Sequence, residues 1–506
     1  MQYLIGVDLG TQGTKATLCD ENGTVVQEAF EASRLIHPEP GAVEQDPEEM
    51  LSSILNTIKQ VAEASGIPPG DVAGIGIDGQ MAGTMGIDID GMAATPYDSW
   101  LDTRCGKYRR LFLGDGPDVA EDTVIGITGA PVTYAHGPKV LWWKYEHPDT
   151  YKKIHKFLPA AAYCVMRMCG LRGEDGFIDH TYLHFTGFAD TGRATWSREL
   201  LTALDVDASK MPRIVKPYDK MGALTDEMAK RCGLLAGTPV VAGCGDTAAS
   251  SFGAGIVRPG LLFDVAGTAS VFACATDVYS PDRENKTVMF PRSVVDGLYT
   301  PMAYINGGGM CLKWFRDDVL GKSKSYGELD AMAADIPPGS GDLFFLPHFS
   351  GRVCPNDALV RGSYVNLSWQ HKTAHMYRAI LEGIAYEYRI YADIIRRLAP
   401  GTNLEKIITV GGGAKSEVFS QIKADVLGVP VCGINRPDTA AIACCVIAGY
   451  GVGLYDSLTD PVERLVTLQS PVLPDTGLFT FYGKRADIYA EIFPSLHDVY
   501  EKLLAL

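Results

Sequence analysis

A short motif occurs twice in the chain, and it constrains the fold more than any other feature. In the first copy the apolar run 3–5 leads into GVDLGTQGTKATL, residues 6–18. In the second copy, LLFDVAGTAS, residues 261–270, repeats the order of apolar run, aspartate, small residue and Gly-Thr. Each copy predicts a β-hairpin with a tight turn between two strands. Two like hairpins, each opening one half of the chain, predict a duplicated architecture with a ligand between its halves.

The turns of these hairpins place bare backbone N–H groups and hydroxyls beside an aspartate. Such N–H groups can bind an anion, and a neighbouring carboxylate can bind a cation. The first copy therefore favours a phosphate held together with its metal ion, with Asp8 as the carboxylate. The alternative for Asp8 and Asp264 is a turn-capping aspartate, which is the better interpretation of an isolated Asp-x-Gly-Thr motif.

The length of the chain predicts more than one domain, because 506 residues exceed what one hydrophobic core supports. Strand-like and helix-like segments alternate throughout, which favours an α/β fold. A Pro-Gly pair separates two apolar segments at Val257–Gly260. We therefore expect one domain over residues 1–256 and a second over residues 257–506.

Charge and cysteine usage restrict the functional classes. A net charge of -16 argues against a nucleic-acid partner or a membrane-surface protein. The 12 cysteines are scattered without a CxxC pair, which predicts reduced thiols rather than disulfides or a zinc site. The N-terminal residues lack a basic segment and run directly into a strand, so the sequence predicts no signal peptide and a cytoplasmic protein.

Local patterns predict the elements that carry the remaining motifs. Asp46, a following proline and Glu49 predict the capped start of a helix over about 47–64. Strands are predicted at 72–77, at 239–243 before Asp246, and at 406–410 before the glycine-rich loop 411–416. That loop opens a helix to about residue 427, an arrangement that binds anions or nucleotides. Glycine triplets also occur in ordinary connections. A core helix is predicted around 375–398.

Taken together, these segments make the chain resemble the FGGY carbohydrate kinases, within the actin/hexokinase/Hsp70 superfamily of duplicated ATP-binding domains. The resemblance covers nearly the whole chain and is strongest with the xylulokinase-like group. It implies two RNase H-like domains with an active-site cleft between them. The segments that carry it are DLGTQGTK, EQDPEEM, GIDGQMAG, SWLDTR, PKVLWWKYEHP, GCGDTAASSFGAG, DVAGTAS, NLSWQHKTAHMYRAILEGIAY and GGGAKSEVFSQIKADVLG.

The resemblance implies phosphorylation of a sugar hydroxyl with ATP as the donor and Mg²⁺ as the metal. Asp8 matches the aspartate that positions the metal, and Asp246 matches the general base. Residues that match nucleotide contacts are Gly10, Thr11, Gln12, Gly13, Thr14, Lys15, Gly267, Thr268, Gly309, Lys313, Gly412, Gly413 and Ser416. On the acceptor side the matching residues are Gln80, Met81, Ala82, Asp102, Asp246 and Thr247.

Several of these residues have a structural alternative. Lys15 and Lys313 could be solvated surface lysines, and His371 and His375 are interpreted as structural. The role of His136 stays open. The carboxylate of Asp246 follows a buried strand and lies between small residues, a setting that favours a functional group.

The sequence departs from the xylulokinase-like pattern at Ala82, where that group usually has histidine, and at Thr247, where it has an amide. The acceptor implied first is D-xylulose, which would give xylulose 5-phosphate. Other acceptors left open are ribulose, rhamnulose, fuculose, erythritol, glycerol and gluconate.

Two other classes of protein share the predicted fold. One is a nucleotide-gated sugar-binding regulator without catalysis, against which the retained Asp246 argues. The other is an actin-like or chaperone-like ATPase, which lacks the GQM and WLDTR segments. The sequence leaves the oligomeric state open, with a homodimer among the options.

Overall fold

The computed structural model describes residues 1–114, 119–267, 269–436 and 438–504, over which strands and helices alternate. The strands are β1 Tyr3–Leu9, β2 Gly13–Asp20, β3 Val25–Ala32, β4 Glu44–Gln45, β5 Val72–Gly79, β6 Met85–Ile87, β7 Tyr97–Asp98, β8 Lys156–Leu158, β9 Phe177–Asp179, β10 Ala189–Asp190, β11 Thr195–Trp196, β12 Arg213–Val215, β13 Lys220–Ala223, β14 Pro239–Val241, β15 Cys244–Gly245, β16 Leu261–Ala266, β17 Ser270–Cys274, β18 Met302–Ile305, β19 Phe344–Leu346, β20 Ser363–Val365, β21 Lys406–Val410 and β22 Val431–Gly433.

The α-helices are α1 Pro47–Ser65, α2 Gly106–Arg109, α3 Glu121–Thr128, α4 His136–Glu146, α5 Pro148–Lys153, α6 Ala160–Cys169, α7 Arg198–Ala203, α8 Asp226–Cys232, α9 Asp246–Gly253, α10 Gly308–Trp314, α11 Tyr326–Ala334, α12 Thr373–Leu398, α13 Glu417–Leu427, α14 Ala440–Gly451, α15 Asp460–Leu465 and α16 Thr476–Leu504. Short 3₁₀ segments include His180–Phe185 and Gly412–Lys415. None of the helices in the described ranges is long and apolar enough to cross a membrane.

The chain forms two units. The first comprises residues 1–257, 290–299 and 438–466, and the second comprises 258–289, 300–437 and 467–506. The units first separate between Val257 and Arg258. A single division at that point does not describe the units, because the later segments 290–299 and 438–466 belong to the first unit.

Each unit is built on a sheet of the same topology. In the first unit the strand order is β13-β14-β5-β1-β2-β3, and in the second it is β18-β17-β16-β21-β22. Strands β1, β2 and β3 form an antiparallel meander, and β5 lies parallel to β1 on its other side. Strands β16, β17 and β18 repeat that meander, with β21 parallel to β16. The predicted duplication of an RNase H-like α/β domain is confirmed.

Helix α1 covers one face of the first sheet. It begins as predicted, because the Asp46 carboxylate accepts hydrogen bonds from the backbone N–H groups of Glu48 and Glu49. The Glu49 side chain binds Arg34 at 2.6 Å instead of closing a capping box. Buried residues of α1 pack with the odd-numbered side chains of β1, among them Val7 and Leu9.

Helix α14 covers the opposite face of the same sheet. A Cβ on Gly6 would lie 1.8 Å from the carbonyl oxygen of Ala441, and a Cβ on Gly76 would lie 2.3 Å from that of Cys444. Glycine at these two positions therefore lets α14 approach the backbones of β1 and β5 closely. Asp8, two residues after Gly6, is on this face because side chains along a strand alternate.

Asp264 does not occupy the position that Asp8 has in the first unit. Its carboxylate is fully buried and binds Tyr388 of α12, Thr409 of β21 and Lys423 of α13. Helix α12 precedes β21 as α1 precedes β5, so Asp264 faces the layer that corresponds to α1. The two motifs match in outline, but the aspartates point to opposite faces of equivalent strands, since one residue reverses the direction of a strand side chain.

Candidate active site

Three carboxylates end adjacent strands of the first unit. Asp8 in β1 pairs in register with Asp78 in β5, and Asp78 pairs with Cys244 in β15, two residues before Asp246. Because these strands are parallel, their carboxyl ends meet at one edge of the sheet. Asp78 was not among the predicted site residues, although it lies within GIDGQMAG and directly after the predicted strand 72–77.

These carboxylates are harder to ionise than free aspartates. Burial, followed by the charges of Asp8 and Cys244, raises the pKa of Asp78 well above its usual value. Burial is also the main cause of the raised pKa of Asp8. Burial and then the charge of Asp8 raise the pKa of Asp246 to about 7, although hydrogen bonds from Thr247 oppose the shift. A pKa near the working pH suits a general base.

Asp246 begins helix α9 and is only partly exposed. Thr247 donates to Asp246 Oδ1 through its backbone N–H, at 2.5 Å, and through its hydroxyl, at 3.0 Å. Both bonds engage the same oxygen, which leaves Oδ2 to a ligand. Thr247, predicted on the acceptor side, thus lies beside Asp246 and orients its carboxylate.

The first hairpin turn is linked to the predicted acceptor side. Gly10 N–H donates to Gly13 O at 3.0 Å and closes the turn. The Thr11 hydroxyl donates to Gln80 Oε1 at 3.1 Å, and the Gln80 amide donates to Gly10 O at 3.3 Å. Trp100 Nε1 donates to the Thr11 hydroxyl at 2.9 Å. Gln80 therefore stabilises the turn formed by Gly10–Gln12.

Two residues predicted to contact the nucleotide have partners inside the first unit. The Thr14 hydroxyl is buried and lies 2.6 Å from the Ser53 hydroxyl on α1. Lys15 Nζ forms ion pairs with Asp438 and, at 2.8 Å, with Glu28. Hydrogen bonds to these two carboxylates raise the pKa of Lys15 despite its partial burial.

The acceptor-side residues Met81 and Ala82 lie in a tight turn. Gly83 N–H donates to Met81 O at 2.8 Å, and Ala82 adopts φ 61, a conformation that non-glycine residues rarely adopt. The Met81 sulfur occupies the space that a side chain at Gly245 would need, 1.9 Å from such a Cβ. The strained turn therefore lies against the residue before the proposed base.

Both carboxylate oxygens of Asp102 accept hydrogen bonds from other residues of the protein. Its Oδ2 accepts from Val43 N–H at 3.0 Å and from Arg104 Nε at 2.9 Å, and its Oδ1 accepts from Arg104 N–H at 3.0 Å. Asp102 is also buried. These bonds give it a structural role that the sequence pattern could not distinguish from contact with a sugar.

A cavity of about 710 Å³ lies in the second unit. Among the predicted nucleotide contacts it is lined by Gly267, Gly309, Lys313, Gly412, Gly413 and Ser416. Thr268, which was predicted with them, lies outside the described residues. Lining residues that the sequence analysis did not single out include Asp330, Tyr377 and Phe419. Residues far apart in sequence thus form one pocket of the size that ligands occupy.

The donor set at Asp8 fits magnesium. The carboxylate is partly exposed at the end of β1, beside the Gly10–Gln12 turn. Within the described part of the chain, no group of three or more His, Cys, Asp or Glu side chains could hold a metal ion. Magnesium is usually bound by one or two carboxylates together with phosphates and water, so a single aspartate is sufficient.

Comparison with known proteins shows which family this chain belongs to. The model for "FGGY family of carbohydrate kinases, N-terminal domain" matches residues 3–253, and the model for the C-terminal domain matches residues 264–450. The chain belongs to the FGGY family of carbohydrate kinases. It is therefore an enzyme of the phosphotransferase class, and the family implies ATP as the phosphoryl donor.

The relatives of this carbohydrate kinase include xylulose kinases and a gluconokinase. A xylulose kinase of Bacillus subtilis is 28% identical over 99% of this chain and 98% of the relative. A gluconokinase of the same species is 26% identical over 92% of this chain and 90% of the relative. The crystal structure of xylulose kinase from Rhodospirillum rubrum has a TM-score of 0.89 at 26% identity, covering 99% of this chain and 100% of that one.

Proposed function

We propose that this carbohydrate kinase phosphorylates D-xylulose to xylulose 5-phosphate, with Asp246 as the general base. The observation that carries the role of Asp246 is its position. It follows β15, next to the strand that ends in Asp78, with a pKa of about 7 and Oδ2 left to a ligand. The similarity to xylulose kinases supports the acceptor.

The reaction is a direct transfer. The acceptor hydroxyl gives its proton to Asp246 Oδ2 while its oxygen forms a bond to the γ-phosphorus of ATP. The bond between that phosphorus and the β–γ bridging oxygen breaks, and ADP leaves. A positioned base contributes about 10²- to 10⁴-fold to such a reaction. Most of the remaining rate enhancement comes from alignment and from stabilising charge on the phosphates.

In this proposal one set of residues binds the phosphates of ATP and another binds its nucleoside. The backbone of Gly10–Gln12 binds the phosphates, and the cavity lined by Gly309, Gly412 and Ser416 binds the nucleoside. Asp8 holds Mg²⁺, which when bound neutralises negative charge on the phosphates. Lys15 pairs in register with Asp8 across β1 and β2, and its ammonium group forms an ion pair with Asp438.

A second candidate acceptor class is supported by Ala82 and by the gluconokinase relative. An alanine removes a hydrogen-bond partner for the sugar and leaves room for another substituent. Gluconate and the other ketoses and polyols of the family are therefore the alternatives. We also propose a cytoplasmic location, supported by twelve cysteines that are all free thiols. A homodimer stays a prediction.

The test is acceptor-dependent ADP formation with purified protein, Mg-ATP and a panel of ketoses, polyols and gluconate. We expect the highest kcat/KM with D-xylulose. A different best acceptor would overturn the choice of D-xylulose while leaving the kinase assignment intact. No acceptor-dependent turnover with any member would support a regulator that binds nucleotide and sugar without catalysis.

A further inference from the structure

Two buried polar atoms near the Met81–Gly83 turn have no hydrogen-bond partner in the described part of the chain. They are Tyr97 Oη and His136 Nε2. Both side chains are at least nine-tenths buried. Leaving such an atom unpaired costs about 1–3 kcal/mol, and native structures contain few of them. A ligand that supplies the missing hydrogen bonds would account for both.

Both side chains contact the main chain of Gly83, the residue after Ala82. A Cβ on Gly83 would lie 2.1 Å from Tyr97 Oη, so that only glycine leaves room for the tyrosine hydroxyl. The His136 ring forms a hydrogen bond with the Gly83 backbone. Because Nε2 is the unpaired atom, this bond uses Nδ1.

Tyr97 and Tyr182, the ring neighbour of His136, lie close enough to Asp246 for its charge to act on them. The charge of Asp246 contributes to the raised pKa of Tyr97, after burial. The His136 ring lies 6.2 Å, centroid to centroid, from the ring of Tyr182. The Tyr182 hydroxyl donates to Gly79 O at 2.8 Å and to Cys244 O at 3.2 Å. Gly79 O lies at the end of β5, just before the Met81–Gly83 turn. Cys244 O lies in β15, just before Asp246.

We propose that Tyr97 and His136 bind hydroxyl groups of the phosphoryl acceptor and select an uncharged sugar or polyol over a sugar acid. The inference rests on the proposed function, because it concerns the acceptor of the same site. The tyrosine hydroxyl can donate to or accept from an acceptor hydroxyl, and the unpaired imidazole nitrogen can do either in its neutral form.

The charges near this pair favour a neutral acceptor. Burial and then the charge of Lys139 lower the pKa of His136 to about 3, so the ring carries no charge at neutral pH. Lys139 Nζ donates to the carbonyls of Asp102 and Tyr134 and is buried. A sugar carboxylate placed there would lose its hydration without gaining a cation.

The experiment compares single-atom or near-isosteric variants. Tyr97→Phe removes only the hydroxyl, and His136→Asn keeps a polar atom near Nδ1 while removing Nε2. His136→Gln restores a polar atom near Nε2 and is the rescue variant. Tyr151→Phe is the matched control, because its buried hydroxyl lies near Asp207, among helices of the same unit. For each protein we would measure KM for acceptor and ATP, kcat, Tm, and the Tm shift caused by acceptor alone.

We expect Tyr97→Phe and His136→Asn each to raise the acceptor KM by about 3- to 10-fold, the value of one hydrogen bond. The KM for ATP should change less than twofold, and Tyr97→Phe should keep or raise Tm because it removes an unpaired group. Wild type should prefer neutral acceptors to D-gluconate. Unchanged acceptor KM in both variants would overturn this inference alone. A preference for gluconate would overturn both this inference and the choice of D-xylulose, while the kinase assignment would stand. A wild type with neither turnover nor a Tm shift with any neutral acceptor would overturn the proposed function as well.

Discussion

Asp8 and Asp246 lie on either side of β5, the strand that contains Asp78, and the charge of Asp8 raises the pKa of Asp246. The carboxylate proposed to hold the metal therefore acts on the carboxylate proposed to accept the proton. Asp8 lies in β1 and Asp246 directly follows β15, so the pairing of these strands with β5 sets their spacing. Because the pKa of Asp246 is about 7, the protonation of this carboxylate can be followed in the free enzyme near neutral pH.

The first prediction is a pH profile. If Asp246 is the base, it must be ionised, so kcat/KM for the acceptor should rise with pH and reach half its maximum near pH 7. Asp246→Asn should lower turnover by about 10²-fold or more while ATP affinity is retained. A flat profile between pH 5.5 and 8.5, or turnover of Asp246→Asn within a few-fold of wild type, would exclude this role.

The second prediction concerns the stability cost of the same group. The pKa of Asp246 is higher in the folded protein than its usual value of 3.8, so the folded state binds the proton more tightly. Its ionisation therefore destabilises the fold progressively as pH rises from about 4 to above 7, by about 1.4 kcal/mol per pKa unit at most. Asp246→Asn should have a higher Tm than wild type at pH 8, and the difference should shrink towards pH 5. Equal Tm values at both pH values would contradict the raised pKa.

The third prediction tests position 82. Ala82→His should raise kcat/KM for D-xylulose relative to other acceptors by about 2- to 10-fold, because one hydrogen bond is recovered. Ala194→His is the control, since Ala194 also has a positive φ, 52, and lies in the β10–β11 turn. The control separates the strain of a larger residue from its contact with the sugar. A wild type that already strongly prefers D-xylulose would remove the specificity argument from Ala82.

The fourth prediction tests the cavity in the second unit. A Cβ on Gly412 would meet no atom within 4 Å, although Gly412 lines the cavity. Gly412→Val should therefore raise the KM for ATP about tenfold or more by filling ligand space, with little change in Tm. Gly401→Val, at another glycine with open space, is the control and should leave the KM for ATP unchanged. Equal KM values in the two variants would place the nucleotide elsewhere.

The fifth prediction follows from the direction of Asp264. Lys423 is fully buried and its ammonium group is paired with Asp264, so Asp264→Asn leaves a charge without its partner. Removing one member of a buried pair costs about 3–5 kcal/mol. We expect a lower denaturation midpoint and an unchanged KM for ATP in the folded protein. Adding Lys423→Met should recover part of the loss. A raised KM with normal stability would instead place Asp264 at the nucleotide site.

The order of strands and helices was predictable because its signals are local. Asp46 caps α1 as expected, and the strand at 406–410 and the helix that follows Ser416 lie where the pattern places them. The direction of Asp264 was not predictable from the motif. A difference of one residue between two similar segments reverses the face of a strand, and only the packing of α12 and α13 reveals it.

Residues of the candidate site that lie in a sequence motif could be named from the sequence. Residues that the fold brings together from distant segments could not. Asp8 and Asp246 stand in recognisable segments. Tyr97 and His136 do not, because nothing in their neighbours shows that one hydroxyl and one ring nitrogen will be buried without partners. The motif that contains Asp102 does not show that its oxygens accept hydrogen bonds from Val43 and Arg104, and its contact with a sugar stays a prediction.

The packing of α14 against Gly6 and Gly76 has a consequence for synthesis on the ribosome. The layer that covers β1 and β5 is encoded after residue 437, so the first unit cannot complete its core when its own N-terminal 257 residues emerge. At about 5–20 residues per second, translation of the intervening chain takes roughly 10–40 s. Throughout that interval the face of the nascent sheet that α14 later covers stays exposed, so the unfinished chain presents apolar surface of the kind that holding chaperones bind.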